Sequence, residues 1–309
     1  MKKALVVLIV MVCLAAGIWG IFMLRDGAGK VGGHRENDNG NTGVAADVTE
    51  SVTTTEEPTT DSQETTEVTE EEKPSLVDET LAGMTLHEKV CQMMFVTPEE
   101  LTGEDGVTVA GDATRQALEN YPVGGIVYFA KNLESQDQVK EMIDNSQKYS
   151  SIGLFVATDE EGGVVNRLMD TVGTTYIGSM YYYKDDGDET AYENAYTIAN
   201  DMSALGFNLD FAPVADVWSN PDNTVIGERA YSDDYAQAAE LVGNAVKGFN
   251  DGGVMCTLKH FPGHGDTAED SHYSSAYVHR TKEEIMADEM QPFRSGIEAG
   301  AEFVMVGHL

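Results

Sequence analysis

Short apolar runs alternate with longer amphipathic stretches from residue 76 onward, and this alternation constrains the fold more than any other feature of the sequence. Six runs have the length of buried strands, at 93–97, 125–130, 154–159, 209–215, 254–260 and 303–308. Helical patterns lie between them, at 113–120, 135–149, 190–205, 235–250 and 282–300. Short strands separated by helices predict βαβ units and a parallel sheet, and therefore an α/β fold.

Polar residues at the ends of several predicted strands favour a barrel over an open sheet. Asp159, Asp216, Lys259, His260 and His308 stand where an apolar run gives way to a loop. Functional residues at the C-terminal ends of many strands are typical of a TIM-type (β/α)8 barrel, whereas a doubly wound open sheet concentrates them at one switch point. The domain at 76–309 is therefore predicted to be an incomplete TIM-type barrel, with about six of the eight βα units.

The first 25 residues are predicted to form a transmembrane signal-anchor. Lys2 and Lys3 precede an apolar run at 4–24. About 20 apolar residues, at roughly 1.5 Å rise per residue, cross a hydrocarbon core of about 30 Å. The run is long for a signal peptide and no clear A-x-A site follows it, so a cleaved signal is the second alternative. The lysines keep the N-terminus cytoplasmic, so the domain is expected to be extracytoplasmic, anchored to the membrane or secreted after cleavage.

Residues 26–75 are predicted to be a disordered linker between the membrane and the domain. They are rich in Gly, Asn, Thr, Glu and Ser, so they cannot bury enough apolar surface to offset the entropy of ordering. Much of the formal net charge of -34 comes from acidic residues crowded between positions 47 and 72. Nucleic acid is not an expected partner, because a phosphate polyanion needs clustered Lys and Arg.

Two local patterns make predictions within the domain. Thr85 and Glu88 have the spacing of a capping box, in which Thr85 begins a helix. Cys91 and Cys256 both lie in apolar stretches, and two cysteines do not make a disulfide scaffold in a domain of this size. We therefore expect both thiols to be free and buried.

The densest group of polar residues is KHFPGHGDT at 259–267, followed by Asp270 and His272. It comes directly after an apolar strand, and its proline and glycines impose a loop. Several histidines in so short a stretch indicate a functional loop. One interpretation is a metal site, because imidazole and carboxylate ligands at close spacing are typical of zinc. The ligands of such a site would be His260, His264, Asp266 and His272.

Two further polar segments lie at strand ends. The first, DEEGGVVNR at 159–167, combines an acidic cluster with two glycines that let the backbone approach a ligand or turn sharply. Its carboxylates could bind hydroxyls, bind a metal or cap the next helix. The second runs from 205 to 216 and leads to Arg229. The planar donors of an arginine suit sugar hydroxyls, but an arginine that ties loops together is about as common.

Together these segments resemble glycoside hydrolase family 3, in the subgroup of bacterial β-N-acetylglucosaminidases. The resemblance covers about 81–309, with GGIVYF at 124–129, the segment 159–167 and, most specifically, 259–272. It implies a (β/α)8 barrel whose strand-end loops bind a terminal sugar. By this resemblance, His272 falls at the general acid/base, with Asp270 as its partner. The positions that bind sugar hydroxyls are Asp159, Arg229, Lys259 and His260.

The resemblance implies hydrolysis of terminal non-reducing β-N-acetylglucosaminyl residues by a two-step retaining mechanism. A histidine in the acid role is reasonable, because a neighbouring carboxylate can orient the imidazole and stabilise its protonated form. Two departures matter: Val164 stands where the subgroup often has arginine, and the Asp nucleophile is expected at the end of a seventh strand, beyond Leu309. The chain is therefore expected to be part of a longer enzyme. Its partner is a carbohydrate, and catalysis by side chains implies no cofactor.

Three other functions stay open at this point. Within family 3, the chain could be a β-glucosidase or a β-xylosidase. The histidine-rich loop could instead serve a metal-dependent hydrolase. Because no nucleophile can be assigned in this sequence, the chain could also be a non-catalytic wall-binding remnant on a membrane tether.

Overall fold

The computed structural model describes residues 75–267 and 277–309. The predicted signal-anchor at 1–25 and the linker up to residue 74 lie outside the described residues, and both stay predictions. Within the described ranges, no helix is both long enough and apolar enough to cross a membrane.

Six parallel strands form one sheet, in which each strand pairs with the next one along the chain. The strands are β1 (Phe95–Val96), β2 (Gly125–Val127), β3 (Phe155–Thr158), β4 (Leu209–Asp210), β5 (Met255–Phe261) and β6 (Phe303–Val306). A doubly wound sheet reverses its strand order at a switch point, whereas a barrel winds in one direction. The described strands therefore have the order of a barrel and not that of a doubly wound sheet.

Helices connect the strands and cover the outer face of the sheet. The helices are α1 (Leu76–Gly83), α2 (Leu86–Cys91), α3 (Pro98–Thr102), α4 (Asp112–Asn120), α5 (Gln136–Tyr149), α6 (Leu168–Val172), α7 (Asp188–Leu205), α8 (Tyr235–Asp251), α9 (Lys282–Ala287) and α10 (Met290–Ala299). Short 3-10 turns lie at Ala130–Asn132, Met180–Tyr183 and Gly227–Arg229. The last two of these turns lie in the loops that follow β3 and β4.

The predicted capping box at the start of α2 is confirmed. The Thr85 hydroxyl accepts a hydrogen bond from the Glu88 backbone N–H at 3.2 Å, and the Glu88 carboxylate accepts one from the Thr85 N–H at 2.7 Å. The same reciprocal arrangement begins α3 at Thr97 and α9 at Thr281. Each pair satisfies backbone donors that a helix leaves unpaired at its first turn.

Two predicted elements have other bounds in the structure, and a proline explains each difference. The helix predicted at 282–300 is two helices, α9 and α10, and Pro292 is the third residue of α10. A proline is tolerated in the first turn of a helix but not in its interior, so one continuous helix could not hold Pro292. The strand predicted at 209–215 ends as β4 at Asp210, and Pro213, which has no N–H to donate, follows in an extended segment.

The sheet is apolar on both faces and curls so that its two edges approach each other. On the concave face, the Phe155 ring of β3 lies 5.7 Å from the Phe95 ring of β1 and 5.3 Å from the Phe303 ring of β6. Phe95 and Phe303 also line one small internal cavity together with Phe211. Side chains of the first and last described strands therefore meet inside the curl, as they do in part of a TIM-like barrel.

The prediction for the two cysteines is confirmed. Cys91 and Cys256 are both free and buried. Burial raises the pKa of each thiol, and for Cys256 the neighbouring Glu302 carboxyl raises the pKa further. Both side chains therefore behave as packed thiols and not as reactive thiolates.

Candidate active site

Lys259 on β5 is a buried cation at the centre of the strand-end residues. Only 2% of its side chain is exposed, and its Nζ lies 2.8 Å from Asp159 Oδ1 and 2.5 Å from Glu161 Oε1. Burial lowers the pKa of Lys259, but the Asp159 and Glu161 carboxylates outweigh this effect and raise it. Lys259 is therefore charged and is held in place by two carboxylates that follow β3.

Arg229 joins this network through the second of these carboxylates. Its Nε and Nη2 donate to the two oxygens of Glu161, each at 2.8 Å, and its Nη1 donates to the Val225 carbonyl oxygen at 2.8 Å. Burial raises the pKa of Glu161, but Lys259 and Arg229 overcome this effect and lower it to about 2. Arg229 thus ties the β4 loop to the β3 loop, which was one of the two predicted roles. Its contact with a sugar hydroxyl stays a prediction.

The more accessible members of the network are Asp159 and Arg167. The Asp159 side chain is 19% exposed, and its Oδ2 lies 3.7 Å from Arg167 Nη2. A carboxylate flanked by two cations can accept a hydrogen bond from a ligand hydroxyl, while a neighbouring guanidinium donates one. Sequence reasoning gave Arg167 no role, although it is the last residue of the segment 159–167.

The middle carboxylate of the acidic cluster caps a helix. Glu160 Oε2 accepts hydrogen bonds from the N–H groups of Arg167 at 2.6 Å and Leu168 at 2.8 Å, and its Oε1 accepts one from Met169 at 3.1 Å. The helix-capping alternative is therefore correct for Glu160, and Asp159 and Glu161 bind Lys259. Alternate residues of an extended segment point to opposite sides, which separates the two roles.

Asp210 lies beneath this cluster at the end of β4. It is fully buried, and its Oδ1 accepts a hydrogen bond from the Glu160 N–H at 3.0 Å. Burial raises the pKa of Asp210 well above its usual value, and the Glu160 carboxyl contributes to this increase. Asp210 therefore supports the backbone between Asp159 and Glu161, and its burial disfavours the ionised form of the carboxyl group.

His260 is oriented by Asp216, which follows β4. The His260 Nδ1 lies 2.6 Å from Asp216 Oδ2, and the His260 and His264 backbone N–H groups donate to the same carboxylate at 3.1 and 2.7 Å. Burial raises the pKa of Asp216, but the His260 imidazole and these N–H groups lower it overall. An ionised carboxylate only accepts hydrogen bonds, so Nδ1 carries the proton. This contact leaves Nε2 of His260 for a ligand.

His264 and Gly265 shape the loop after β5. His264 is buried, its Nδ1 lies 2.7 Å from the Thr267 hydroxyl, and its carbonyl oxygen accepts from the Asn223 amide at 2.7 Å. A Cβ on Gly265 would lie 1.6 Å from the Val217 carbonyl oxygen, so only glycine fits there. These contacts lock the β5 loop against the β4 loop, on which Asp216 and Arg229 stand.

The predicted metal site is only partly covered by the described residues, because His272 lies outside them. The His260 and His264 rings are 6.0 Å apart at 74° to each other. In the ranges 75–267 and 277–309, no three His, Cys, Asp or Glu side chains are arranged to hold a metal ion.

The predicted acid/base pair also lies outside the described residues. Both Asp270 and His272 belong to the segment between residues 267 and 277. Their roles stay predictions. The structure does bring together the four residues predicted to bind sugar hydroxyls, at the same end of the sheet: Asp159, Arg229, Lys259 and His260.

A barrel-like sheet with charged residues at its strand ends has the arrangement of a TIM-barrel active site, and comparison with known proteins identifies the family. Residues 85–309 match the model of the glycosyl hydrolase family 3 N-terminal domain. The chain therefore belongs to glycosyl hydrolase family 3.

Its relatives include bacterial hexosaminidases. A beta-hexosaminidase of Xylella fastidiosa (strain M12) is 35% identical over 214 residues, which are 68% of this chain and 63% of that protein. Beta-hexosaminidase A of Pseudoalteromonas piscicida is 34% identical over 203 residues, which are 63% of this chain and 34% of that protein. The structure of a family 3 beta-N-acetylglucosaminidase from Paenibacillus sp. str. FPU-7 matches with a TM-score of 0.66 and 38% identity, over 73% of this chain and 42% of that chain. The chain thus spans between 34% and 63% of the length of these relatives.

Proposed function

We propose that the chain carries the sugar-binding part of a β-N-acetylglucosaminidase that releases terminal non-reducing β-N-acetylglucosaminyl residues. The observation that carries the proposal is the Lys259 network, in which Glu161 and Asp159 hold a buried ammonium at the strand ends. Such a network is suited to neutral polyols, because it offers fixed donors and acceptors and its two buried cations, Lys259 and Arg229, are balanced by Asp159 and Glu161. The names of the relatives favour N-acetylglucosamine over the glucose or xylose of other family 3 substrates.

In this proposal the terminal sugar lies above Lys259. Asp159 accepts hydrogen bonds from ring hydroxyls, while Lys259 and Arg229 donate to them. Glu161 keeps both cations in position before the sugar arrives, so little reorganisation is needed on binding. His260 accepts a hydrogen bond through Nε2, in the tautomer that Asp216 fixes.

The chemical step is assigned by the family resemblance. His272, oriented by Asp270, protonates the leaving glycosidic oxygen as a carboxylate attacks the anomeric carbon from the opposite face. Water then hydrolyses the glycosyl-enzyme, with His272 acting as the base. The nucleophile is an Asp that the resemblance places beyond Leu309, on a completed (β/α)8 barrel. These residues act without a cofactor.

The proposed location is outside the cell, on a tether at residues 26–75 and a membrane anchor at residues 1–25. A glycosidase held there meets glycans of the cell wall or of the surroundings. A cleaved signal at the same place gives a secreted enzyme that acts on the same class of substrate.

The test is hydrolysis of an aryl β-N-acetylglucosaminide. The protein assayed is expressed from the whole gene, including any coding sequence that continues after codon 309. We expect hydrolysis that EDTA does not affect, a lower rate with the matching aryl β-glucoside, and loss of at least about 100-fold in kcat/KM for Lys259→Met. Loss of activity on chelation favours the metal-dependent hydrolase instead. Binding without hydrolysis favours the wall-binding remnant.

A further inference from the structure

Exposed apolar side chains gather beside the Lys259 network. Tyr176 is 76% exposed, Tyr182 is 69% exposed and Val164 is 65% exposed. The turn that carries Val164 packs on the segment between the two tyrosines: the Gly163 N–H donates to the Ile177 carbonyl oxygen at 2.9 Å. These side chains therefore form one patch at the rim of the site, directly after Glu161 along the chain.

The Tyr182 ring is held in a fixed position. Its hydroxyl donates to Glu228 Oε2 at 2.6 Å, and the Ser179 hydroxyl donates to Glu228 Oε1 at 2.9 Å. Glu228 directly precedes Arg229, which forms the ion pair with Glu161. A tyrosine fixed in this way offers its ring face to a ligand with little further loss of side-chain entropy.

Further aromatic rings connect this patch to the other half of the site. The Tyr181 ring lies 4.9 Å from the Trp218 ring and 6.3 Å from the Tyr182 ring, both in edge-to-face contacts. Trp218 stands two residues after Asp216, which orients His260. We call Tyr176, Tyr181, Tyr182 and Trp218 the tyrosine rim.

The charges around the rim are mainly negative. Glu228 is one of them, because hydrogen bonds from Tyr182 and Ser179 lower its pKa. Asp185 and Asp233 flank Lys184, whose Nζ lies 3.5 Å from a carboxylate oxygen of each. Three acidic groups and one lysine therefore lie at the rim, while the Arg229 that follows Glu228 is already paired with Glu161, so a ligand with its own carboxylate is repelled.

We propose that the tyrosine rim binds the second sugar ring of the glycan, and that it favours a neutral ring over one that bears a carboxylate. The proposal rests on the proposed function, since the Lys259 network must hold the first ring. The apolar C–H faces of a pyranose pack on an aromatic ring, and the rim is joined to the Lys259 network through Glu228 and Arg229. Chitin-type oligosaccharides are then better substrates than peptidoglycan fragments.

The test measures binding by calorimetry on the full chain, with N-acetylglucosamine and N,N′-diacetylchitobiose as probes. We expect the disaccharide to bind about tenfold more tightly than the monosaccharide. Tyr182→Ala removes this advantage and leaves the monosaccharide affinity unchanged, while Tyr182→Phe keeps most of it. Tyr121→Ala is the matched control, because Tyr121 is also more than half exposed but follows α4.

Tryptophan emission locates the second ring. The sequence has two tryptophans, so Trp19→Phe leaves Trp218 as the reporter. Its emission should change with the disaccharide and not with the monosaccharide.

The outcomes separate the two proposals. If the monosaccharide binds and the disaccharide binds no more tightly, the proposal for the tyrosine rim is overturned and the proposed function stands. Binding of neither sugar overturns both. Equal affinity for the peptidoglycan disaccharide, whose second ring bears a carboxylate, overturns the preference for a neutral ring.

Discussion

Lys259 Nζ lies 2.5 Å from Glu161 Oε1, and both side chains are almost completely withdrawn from solvent. A buried ion pair of this kind adds little net stability compared with a well-packed apolar pair. The pair does fix the positions of both side chains, because neither buried charge can move to another place of equally low energy. The pair therefore sets the position of Lys259 next to Asp159, and with it the geometry of the proposed sugar site.

Substituting Glu161 by glutamine should destabilise the domain. Lys259 would keep Asp159 as a partner, but Arg229 would lose its bidentate carboxylate and stay buried. Removing one partner of a buried pair costs about 3–5 kcal/mol, and we expect a decrease in that range in the free energy of unfolding in urea.

Asp112→Asn is the control for this substitution, because the Arg115–Asp112 pair lies on the surface. A surface pair contributes about 0–1 kcal/mol, so this variant should unfold like the parent chain. If both substitutions lowered the free energy of unfolding by the same amount, the charge of Glu161 would not be needed to stabilise the buried network.

Much of the site follows from local sequence patterns. The ends of parallel strands meet at one edge of a barrel, so the proximity of Asp159 and Lys259 could be predicted once both were assigned to strand ends. The capping box at Thr85 could be predicted because its signal is local and spans only four positions.

The remaining features depend on contacts between loops. The choice of Glu161 as the partner of Arg229 is set by the path of the β4 loop, which no local pattern encodes. The sequence of the histidine-rich loop does not show what each histidine contacts: His260 faces Asp216, whereas His264 packs against Thr267 within the loop. The break in the helix predicted at 282–300 could have been found, because Pro292 is not tolerated in a helix interior and indicates a new helix start just before it.

Gly265→Ala should disrupt the loop that follows β5 and His260. The added Cβ would lie 1.6 Å from the Val217 carbonyl oxygen, and a backbone atom cannot move aside as a flexible side chain does. We expect a loss of stability of about 2 kcal/mol or more and a fall in kcat for the aryl substrate.

The control is Gly153→Ala, because a Cβ at Gly153 meets no atom within 4 Å. Thermal unfolding of both variants is the measurement. A Gly265→Ala protein with the melting temperature of the parent would contradict the assigned loop packing.

Asp210→Asn should be nearly neutral, in contrast to a catalytic carboxylate. The amide oxygen can still accept from the Glu160 N–H, and burial already disfavours the charged form of the carboxyl group that the substitution removes. Asp210→Leu removes this acceptor and leaves a buried N–H unpaired, at a cost of about 1–3 kcal/mol. Measurements of kcat/KM and urea unfolding on both variants check this; a loss of over about 100-fold in kcat/KM for Asp210→Asn would assign Asp210 to the chemistry itself.

Glu289 should make the stability of the domain fall as the pH rises. It is buried at the start of α10, where its Oε1 accepts from the Tyr235 hydroxyl and from Arg280 Nη1, each at 3.1 Å. Burial raises its pKa from 4.5 to about 7; Tyr235 and Arg280 lower it, while Asp266 and Asp216 raise it. As the pH rises, Glu289 therefore loses its proton at a lower pH in the unfolded chain than in the folded chain. The stability that protonated Glu289 contributes below pH 4.5 is lost as the pH rises towards 7.

Glu289→Gln removes this titration and keeps an oxygen that accepts from both donors. At pH 7.5 the variant should therefore unfold at a higher temperature than the parent. Its free energy of unfolding should exceed that of the parent by on the order of 2 kcal/mol, and this difference should shrink as the pH falls to 4.5. The measurement is the melting temperature of both proteins across this range. Curves that run parallel at every pH would mean that Glu289 titrates alike in the folded and unfolded chains, and the pH dependence would then belong to other carboxyl groups.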